Sequence, residues 1–505
     1  MNVTDARNRM QRNERPVVDT EAGSVRGTVE DGVAAFRGIP YAASPVGDRR
    51  FAAPAPHPAW PGVRDAGRPG PSVPQSPSRL EAVMGRRTPD WDEDGCLTLN
   101  VWTPALPADA SARGALPVLV WFHGGGFTSG SGGWDWYDGR NLAAAGGIVV
   151  VTANYRLGPL GFLHLPELGI DNLGVQDQAA VLGWVRRNIA AFGGDPGSVT
   201  AGGQSAGAFS ALHLAVSPVT GRHVHRVVAQ SGPFGLAPQD PGEATAHARR
   251  YLGLLGLPGP CGGAGLLAAL RAVPAGRLLA AYQQLSRDVS RPGGVAPPMY
   301  PVLGAFGVPV PWQRAVADGR LDGKQLLTGT TRDEMTAFFA SDPRIRALTT
   351  DQARSLAAQE AHDGAVRYDR TAARLPATGN VTPGDVLTEL VTELLFRDET
   401  LALAGHHAAA GNGTYVYEFA YSPADGPARL GATHCVELPF LFTTFDAYRG
   451  SPMLGRVTAE VRALGEAFSR AIAAFVATGR PGTGPWRPYV PGDPATVRHF
   501  GRHTR

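Results

Sequence analysis

The sequence predicts an α/β protein with a mainly parallel central sheet covered by helices on both faces. Three observations predict it. Apolar strands alternate with helical segments from residue 116 to 232, the order that builds parallel sheets. A stretch Gly203-Gln204-Ser205-Ala206-Gly207 lies between a short strand-like run and a helix-forming run. Apolar residues make up 43% of the 505 positions and charged residues only 18%, which supplies a large core and argues against general disorder.

Residues 16–42 alternate apolar and polar, with Gly23, Gly27 and Gly32 as turn punctuation, and read as an antiparallel start. A Pro/Gly-rich surface passage covers 52–90. Cys96 to Trp102 is a strand, closed by Thr103-Pro104. Leu116 to Phe122 is a strongly apolar strand that runs into His123-Gly124-Gly125-Gly126-Phe127, and Gly147 to Tyr155 is a buried strand by the same criteria. Asn172 to Phe192 reads as a helix, because Val181, Val185, Ile189 and Phe192 recur at three- and four-residue spacing before Gly193-Gly194-Asp195-Pro196. Ser198 to Gly202 is the strand before the central stretch, and a further strand ends at Gln230-Ser231-Gly232. Residues 236–320 and 340–410 are Ala/Leu-rich helical segments, separated by a strand at Gln325–Thr330. Thr414 to Tyr421 is a late strand, Ala459 to Thr478 a long amphipathic helix, and the remainder a tail. No linker divides the chain, so residues 16–505 are expected as one domain behind a disordered tail of residues 1–15.

Charge and cysteine content exclude several classes. The 47 basic and 44 acidic residues leave a net charge of +3 with no basic run, which argues against nucleic acid. No window approaches a membrane span and no secretory apolar stretch stands near the N-terminus, so a cytoplasmic location is expected. Three cysteines, Cys96, Cys261 and Cys435, are too few and too odd in number for a disulfide framework.

Gly203 to Gly207 reads Gly-x-Ser-x-Gly in a strand–turn–helix setting. Glycines two residues on either side of Ser205 leave room for a strained elbow that holds the serine out, and the following helix aims N–H groups at charge developing beside it. A serine hydroxyl needs a base, itself oriented by an acid, and with this elbow the chain order is serine, acid, histidine. Six histidines follow position 332. His406 and His407 read as solvated helix residues, His499 and His503 as tail, and His362 lies in a helical segment. His434 follows a strand through a glycine-bearing loop and is the best-placed base. Arg332-Asp333-Glu334 stands just past the strand 325–330, and composition leaves Asp333 and Glu334 both open as the acid. Gly124-Gly125-Gly126 supplies bare backbone after a strand, suited to N–H donors that approach an oxyanion.

These motifs resemble the type-B carboxylesterases, the family that includes cholinesterases and bacterial para-nitrobenzyl esterases. The resemblance covers nearly the whole chain from residue 16. It includes Phe36 to Ala42, Glu93-Asp94 with Cys96-Leu97, Asn154 to Phe162, Asp177-Gln178, Asn188 to Pro196, the elbow, and Gly431-Ala432-Thr433-His434 with Glu437-Leu438-Pro439-Phe440. It implies an α/β-hydrolase fold with helical insertions around an active-site gorge. It further implies Ser205 as nucleophile, His434 as base and Glu334 rather than Asp333 as acid. Gly125, Gly126 and Ala206 would be the oxyanion-hole donors, Ser231 a serine supporting the acid, and Gln204 a neighbour of the base. No metal or cofactor is implied, and the substrate is a small to medium uncharged ester, met by a monomer or small homo-oligomer.

Four departures from the family pattern carry expectations of their own. Val73 stands where the family places a disulfide cysteine, so Cys96 is expected as a free thiol. Residues 74–89 contain no aromatic residue, which removes the platform cholinesterases use for choline. Gln204 replaces the usual Glu, and Cys435 follows the base where Gly is common. A non-catalytic scaffold of the neuroligin kind would lack the nucleophile, which is present here. An acyltransferase, or a dedicated tailoring or detoxifying esterase, would use the same triad.

Overall fold

The computed structural model describes residues 15–501 apart from 89, 105, 107–113, 260–262, 376–380, 428, 483 and 485. The expected tail therefore lies outside the described residues except for Arg15, which pairs with Asp65. Cys261 also lies outside them.

Among the described residues, thirteen strands run in chain order: β1 Val17–Thr20, β2 Gly23–Arg26, β3 Thr28–Glu30, β4 Val33–Pro40, β5 Val63–Asp65, β6 Thr98–Thr103, β7 Leu116–Phe122, β8 Val149–Ala153, β9 Gly194–Gln204, β10 Arg226–Gln230, β11 Gln325–Thr331, β12 Thr414–Phe419 and β13 Val497–Phe500. Strands β1, β2 and β5 form a small sheet, and the other ten form one sheet in the order β13-β12-β11-β10-β9-β7-β8-β6-β4-β3. Every pairing from β8 to β13 is parallel, and the β8–β6, β6–β4 and β4–β3 pairings are antiparallel. The antiparallel start and the parallel centre are both as the sequence pattern indicates.

Period-two alternation builds two cores from one strand. Along β7, Val118, Val120 and Phe122 enter the core on one face, while Leu119 and Trp121 enter the core on the other. The first core is closed by the helices Leu173–Asn188 and Ala206–Val216, the second by the helix Ala459–Thr478 and the apolar run through Phe442. A third, smaller cluster joins Met335 and Phe339 to Leu387, Leu390 and Phe396 of the inserted helices.

One loop is pinned to a helix by buried charge. Arg156, after β8, makes a two-pronged ion pair with Asp177 at 2.8 Å for each arm, and both side chains are buried. Breaking a pair so enclosed typically costs about 3–5 kcal/mol, because the remaining charge has no water to turn to.

Three sequence expectations are corrected. The tail contains β13, paired in parallel with β12, so His499 stands on an edge strand. His407 is buried, its Nδ1 2.7 Å from the Thr414 hydroxyl, and is not a solvated helix residue. Burial lowers its pKa to about 4, so it stays neutral. Ser231 does not reach Glu334, for the reason given below.

Candidate active site

The parallel register brings the functional segments to one edge. Phe122 of β7 lies beside Gly203 of β9, Gln204 beside Gln230 of β10, and Gln230 beside Gly329 of β11. The residues after those strand ends therefore emerge together at the carboxyl edge, where open α/β sheets bind ligands.

Ser205 adopts φ 57° and ψ −125°, a strained conformation for a residue with a Cβ. Neighbouring backbone holds it there: Ser205 N–H donates to Gln230 O at 2.9 Å, and the Ser205 carbonyl accepts from Phe209 N–H at 3.0 Å. The flanking glycines are steric requirements. A Cβ on Gly203 would come within 2.3 Å of the Gly207 carbonyl, and one on Gly207 within 1.9 Å of the Phe122 carbonyl oxygen.

The glycine loop packs against this elbow. A Cβ on Gly124 would meet Ser205 Cβ at 3.3 Å, so the loop backbone lies directly beside the serine. Gly125 and Gly126 have φ 110° and 61°, and a Cβ on Gly125 would strike the Ser129 carbonyl oxygen at 2.0 Å. Among the described residues, the N–H groups of Gly125, Gly126 and Ala206 donate to no protein acceptor. His123 supports the loop from behind, stacked on Tyr155 with 4.4 Å between ring centroids, and burial keeps it neutral with a pKa lowered to about 4.

The two candidate acids separate cleanly. Asp333 accepts from Arg332 Nη2 at 2.9 Å and from Ala432 N–H at 2.7 Å, and so ties its own loop to the one carrying His434. Glu334, fully buried, accepts the Thr331 N–H on Oε1 at 2.8 Å and reaches Nδ1 of His434 with Oε2. That contact fixes the imidazole with Nδ1 as donor and leaves Nε2 as acceptor. Nε2 lies 3.2 Å from the amide nitrogen of Gln204, whose Oε1 faces the Cys435 thiol at 3.6 Å. Among the described residues, no hydrogen bond joins Ser205 Oγ to the imidazole. Such bonds often tighten only when substrate is bound.

Burial works against an imidazolium at His434, but Cys435 and Glu334 outweigh it and raise its pKa well above the ordinary value. Burial also raises the pKa of Cys435, which keeps that thiol neutral, so Glu334 is the partner that acts at neutral pH. Cys435 has φ 74°. A left-handed backbone explains why glycine suits this position, since a Cβ there costs about 1–2 kcal/mol.

The family model described as the carboxylesterase family matches residues 14–504. The chain belongs to the carboxylesterase family. It is 37% identical over 470 residues to a phenmedipham hydrolase of Pseudarthrobacter oxydans, covering 92% of this chain and 91% of the relative. It is equally 37% identical over 475 residues to a para-nitrobenzyl esterase of Bacillus subtilis, again covering 92% and 91%. A solved thermophilic para-nitrobenzyl esterase superposes with a TM-score of 0.80 at 34% identity, covering 94% of each chain. A solved Geobacillus stearothermophilus carboxylesterase gives 0.80 at 33%, covering 93% and 92%. The protein is a serine carboxylic-ester hydrolase with the α/β-hydrolase fold.

This carboxylesterase carries a further buried acid, Glu437. Ser231 was expected to support Glu334, yet its hydroxyl donates at 2.7 Å to Glu437 Oε1, because Glu437 is the carboxylate within its reach. Glu437 is fully buried and its Oε2 has no hydrogen-bond partner among the described residues. Burial, then the charge of Glu334, pushes its pKa up to about 7, with His434 and the Ser231 hydroxyl opposing. The signal was an acid inside the apolar run Val436 to Phe442.

Before the serine lies a cleft joined through Arg79, Thr128, Leu236, Val295 and Pro297 to an outer one. The inserted helical segments line both, as the resemblance implies. Residues 74–89 contribute no aromatic ring, but Trp134 and Trp136 do line the inner cleft. Arg87 covers both indoles, 5.4 and 4.9 Å from their centroids, and pairs with Asp135. Cys96 and Cys435 are buried free thiols. Among the described residues, no helix is long and apolar enough to cross a membrane.

Proposed function

We propose that Ser205, His434 and Glu334 hydrolyse carboxylic esters by two-step acyl transfer. Ser205 Oγ attacks the ester carbonyl while Nε2 of His434 takes its proton, and Glu334 steadies the imidazolium through Nδ1. The oxygen that becomes negative is received by the N–H groups of Gly125, Gly126 and Ala206. His434 then protonates the departing alcohol, and water repeats the sequence on the acyl-enzyme. Gln204 holds the resting imidazole by its Nε2 until substrate brings the serine hydroxyl into line.

The observation that carries this reading is the contact of Glu334 with Nδ1 of His434 beside a strained Ser205. Losing one oxyanion donor typically costs about 10²–10³ in turnover, so the three unpartnered N–H groups supply much of the rate. Neutral aryl and alkyl esters are favoured over choline esters, because residues 74–89 supply no aromatic platform for a quaternary ammonium. The buried free thiols Cys96 and Cys435 suit a reducing, cytoplasmic compartment.

The test is covalent. A nitrophenyl phosphonate should modify one site, mapped by mass spectrometry to Ser205, and Ser205→Ala should abolish both labelling and ester hydrolysis. In the same enzyme, 3,3-dimethylbutyl acetate should be cleaved with a higher kcat/KM than acetylcholine. Labelling elsewhere with loss of activity would overturn the assignment.

A further inference from the structure

The inner cleft has a single formal charge. Among the described residues that line it, Arg79 alone is charged, and the residue next to the serine is the neutral Gln204. Arg79 stands on the 74–89 loop, and its guanidinium reaches the glycine loop: a Cβ built on Gly126 would lie 3.3 Å from its Nη2. The same Nη2 donates to the Val295 carbonyl at 3.0 Å. Its Cζ lies 6.0 Å from the Phe338 ring, whose centroid is 5.5 Å from that of the His434 imidazole. The cation therefore stands between an oxyanion donor and the ring that walls the base.

A guanidinium presents five N–H donors and keeps its proton in proteins. Arg79 uses one N–H for the Val295 carbonyl, and among the described residues no carboxylate pairs with it. Arg87, the other arginine of this loop, is instead paired with Asp135, and in the outer cleft Arg291 pairs with Glu360 at 3.0 Å. Arg79 is exposed, so its other N–H groups face the open cleft. A cation with free donors, open to the cleft beside the glycine loop, is a receptor for an anion.

We propose that Arg79 binds a carboxylate carried by the substrate, so that the enzyme prefers esters with an anionic group near the scissile carbonyl over their neutral isosteres. This rests on Ser205-dependent ester hydrolysis as proposed above. It replaces the expectation of uncharged esters with an order: anionic, then neutral, then cationic. The carboxylate can reside on the acyl side or on the alcohol side, and the two are separable.

The experiment compares kcat/KM within two matched pairs. The 4-nitrophenyl monoester of adipic acid is set against that of adipamic acid for the acyl side, and 4-acetoxybenzoate against 4-acetoxybenzamide for the alcohol side. Wild type should favour the acid over the amide by about fivefold or more in at least one pair, the margin of a charge-assisted over a neutral hydrogen bond. Arg79→Gln should bring that ratio to about one or below, Arg79→Glu should invert it, and Arg79→Lys should restore part of it. The ratio is internal to each variant, so a general loss of activity does not enter it. On wild type alone, raising the salt from about 20 mM to about 500 mM should shrink the preference, as screening requires. A wild-type ratio of one or less in both pairs overturns the proposal. So does a preference that persists in Arg79→Gln or, should that variant not fold, one that salt leaves unchanged. Failure to cleave even the neutral amide probes would count instead against the esterase mechanism.

Discussion

The amide nitrogen of Gln204 lies 3.2 Å from Nε2 of His434, on the nitrogen opposite the one held by Glu334. The catalytic histidine of the proposed mechanism is thus clamped between a carboxylate and a neutral donor. A donor at Nε2 favours the neutral ring, which accepts, over the imidazolium, which cannot.

Gln204→Glu reverses that preference. A carboxylate at this buried position accepts from the imidazolium and raises the pKa of His434 further. The acidic limb of the kcat/KM profile should move to higher pH by about half to one unit, about 0.7–1.4 kcal/mol. A pH–rate profile on a neutral nitrophenyl ester measures it. A limb that stays in place in a folded variant would mean that position 204 does not tune the base.

Asp333 and Glu334 should differ in kind when each is made an amide. Glu334→Gln removes the partner of Nδ1 and admits the wrong tautomer, for which a loss of about 10⁴ in kcat is the usual scale. Asp333→Asn weakens the Arg332 pair and the Ala432 tether, so it should lower the melting temperature while leaving kcat within about tenfold. Parallel kinetics and calorimetry separate the two; similar kcat losses for both would remove the distinction.

The same pair shows what sequence can and cannot carry. The strands of the sheet were legible because apolar runs such as Leu116–Phe122 have no other use, and the elbow was legible because glycine two residues either side of Ser205 is sterically required. Asp333 and Glu334 are adjacent acids past one strand, and composition cannot say which turns inward. The Thr331 N–H that holds Glu334 exists only once the chain has turned. Ser231 bonds Glu437 rather than Glu334 for a reason of the same kind, since the two carboxylates lie close enough to influence each other and only the fold decides between them. The burial of His407 is not legible because an Ala-rich helix shows no face, nor is β13, because a four-residue edge strand with Arg498 and His499 exposed has no pattern. Arg79 has no motif; only the charge-free walls around it make it visible.

The thiols should be silent in the native protein. Burial raises the pKa of Cys96 and of Cys435, and the thiolate is the reactive form. A disulfide-exchange reagent at pH 8 should find neither of them until denaturant is added, when both titrate under non-reducing conditions. Peptide mapping assigns the labels. Rapid native labelling of Cys435 with loss of activity would show that the cleft exposes it as thiolate.

Glu437 makes stability depend on pH in a direction opposite to most carboxylates. Its folded pKa is raised to about 7 from an ordinary 4.5, so between those values the folded state binds more protons than the unfolded state. Stability therefore falls as pH rises through this window, because ionising Glu437 places a second charge in a buried site beside Glu334. Glu437→Gln keeps an acceptor for the Ser231 hydroxyl and removes the charge. The variant should match wild type at pH 5 and exceed it at pH 8 by on the order of 2 kcal/mol, read as a melting temperature higher by a few degrees at one scan rate. The kinetics supply an independent check. Ionised Glu437 favours the imidazolium of His434, so its removal should shift the acidic limb of kcat/KM to lower pH, opposite to Gln204→Glu. A variant whose stability advantage is the same at pH 5 and pH 8 would show that Glu437 does not titrate in this range.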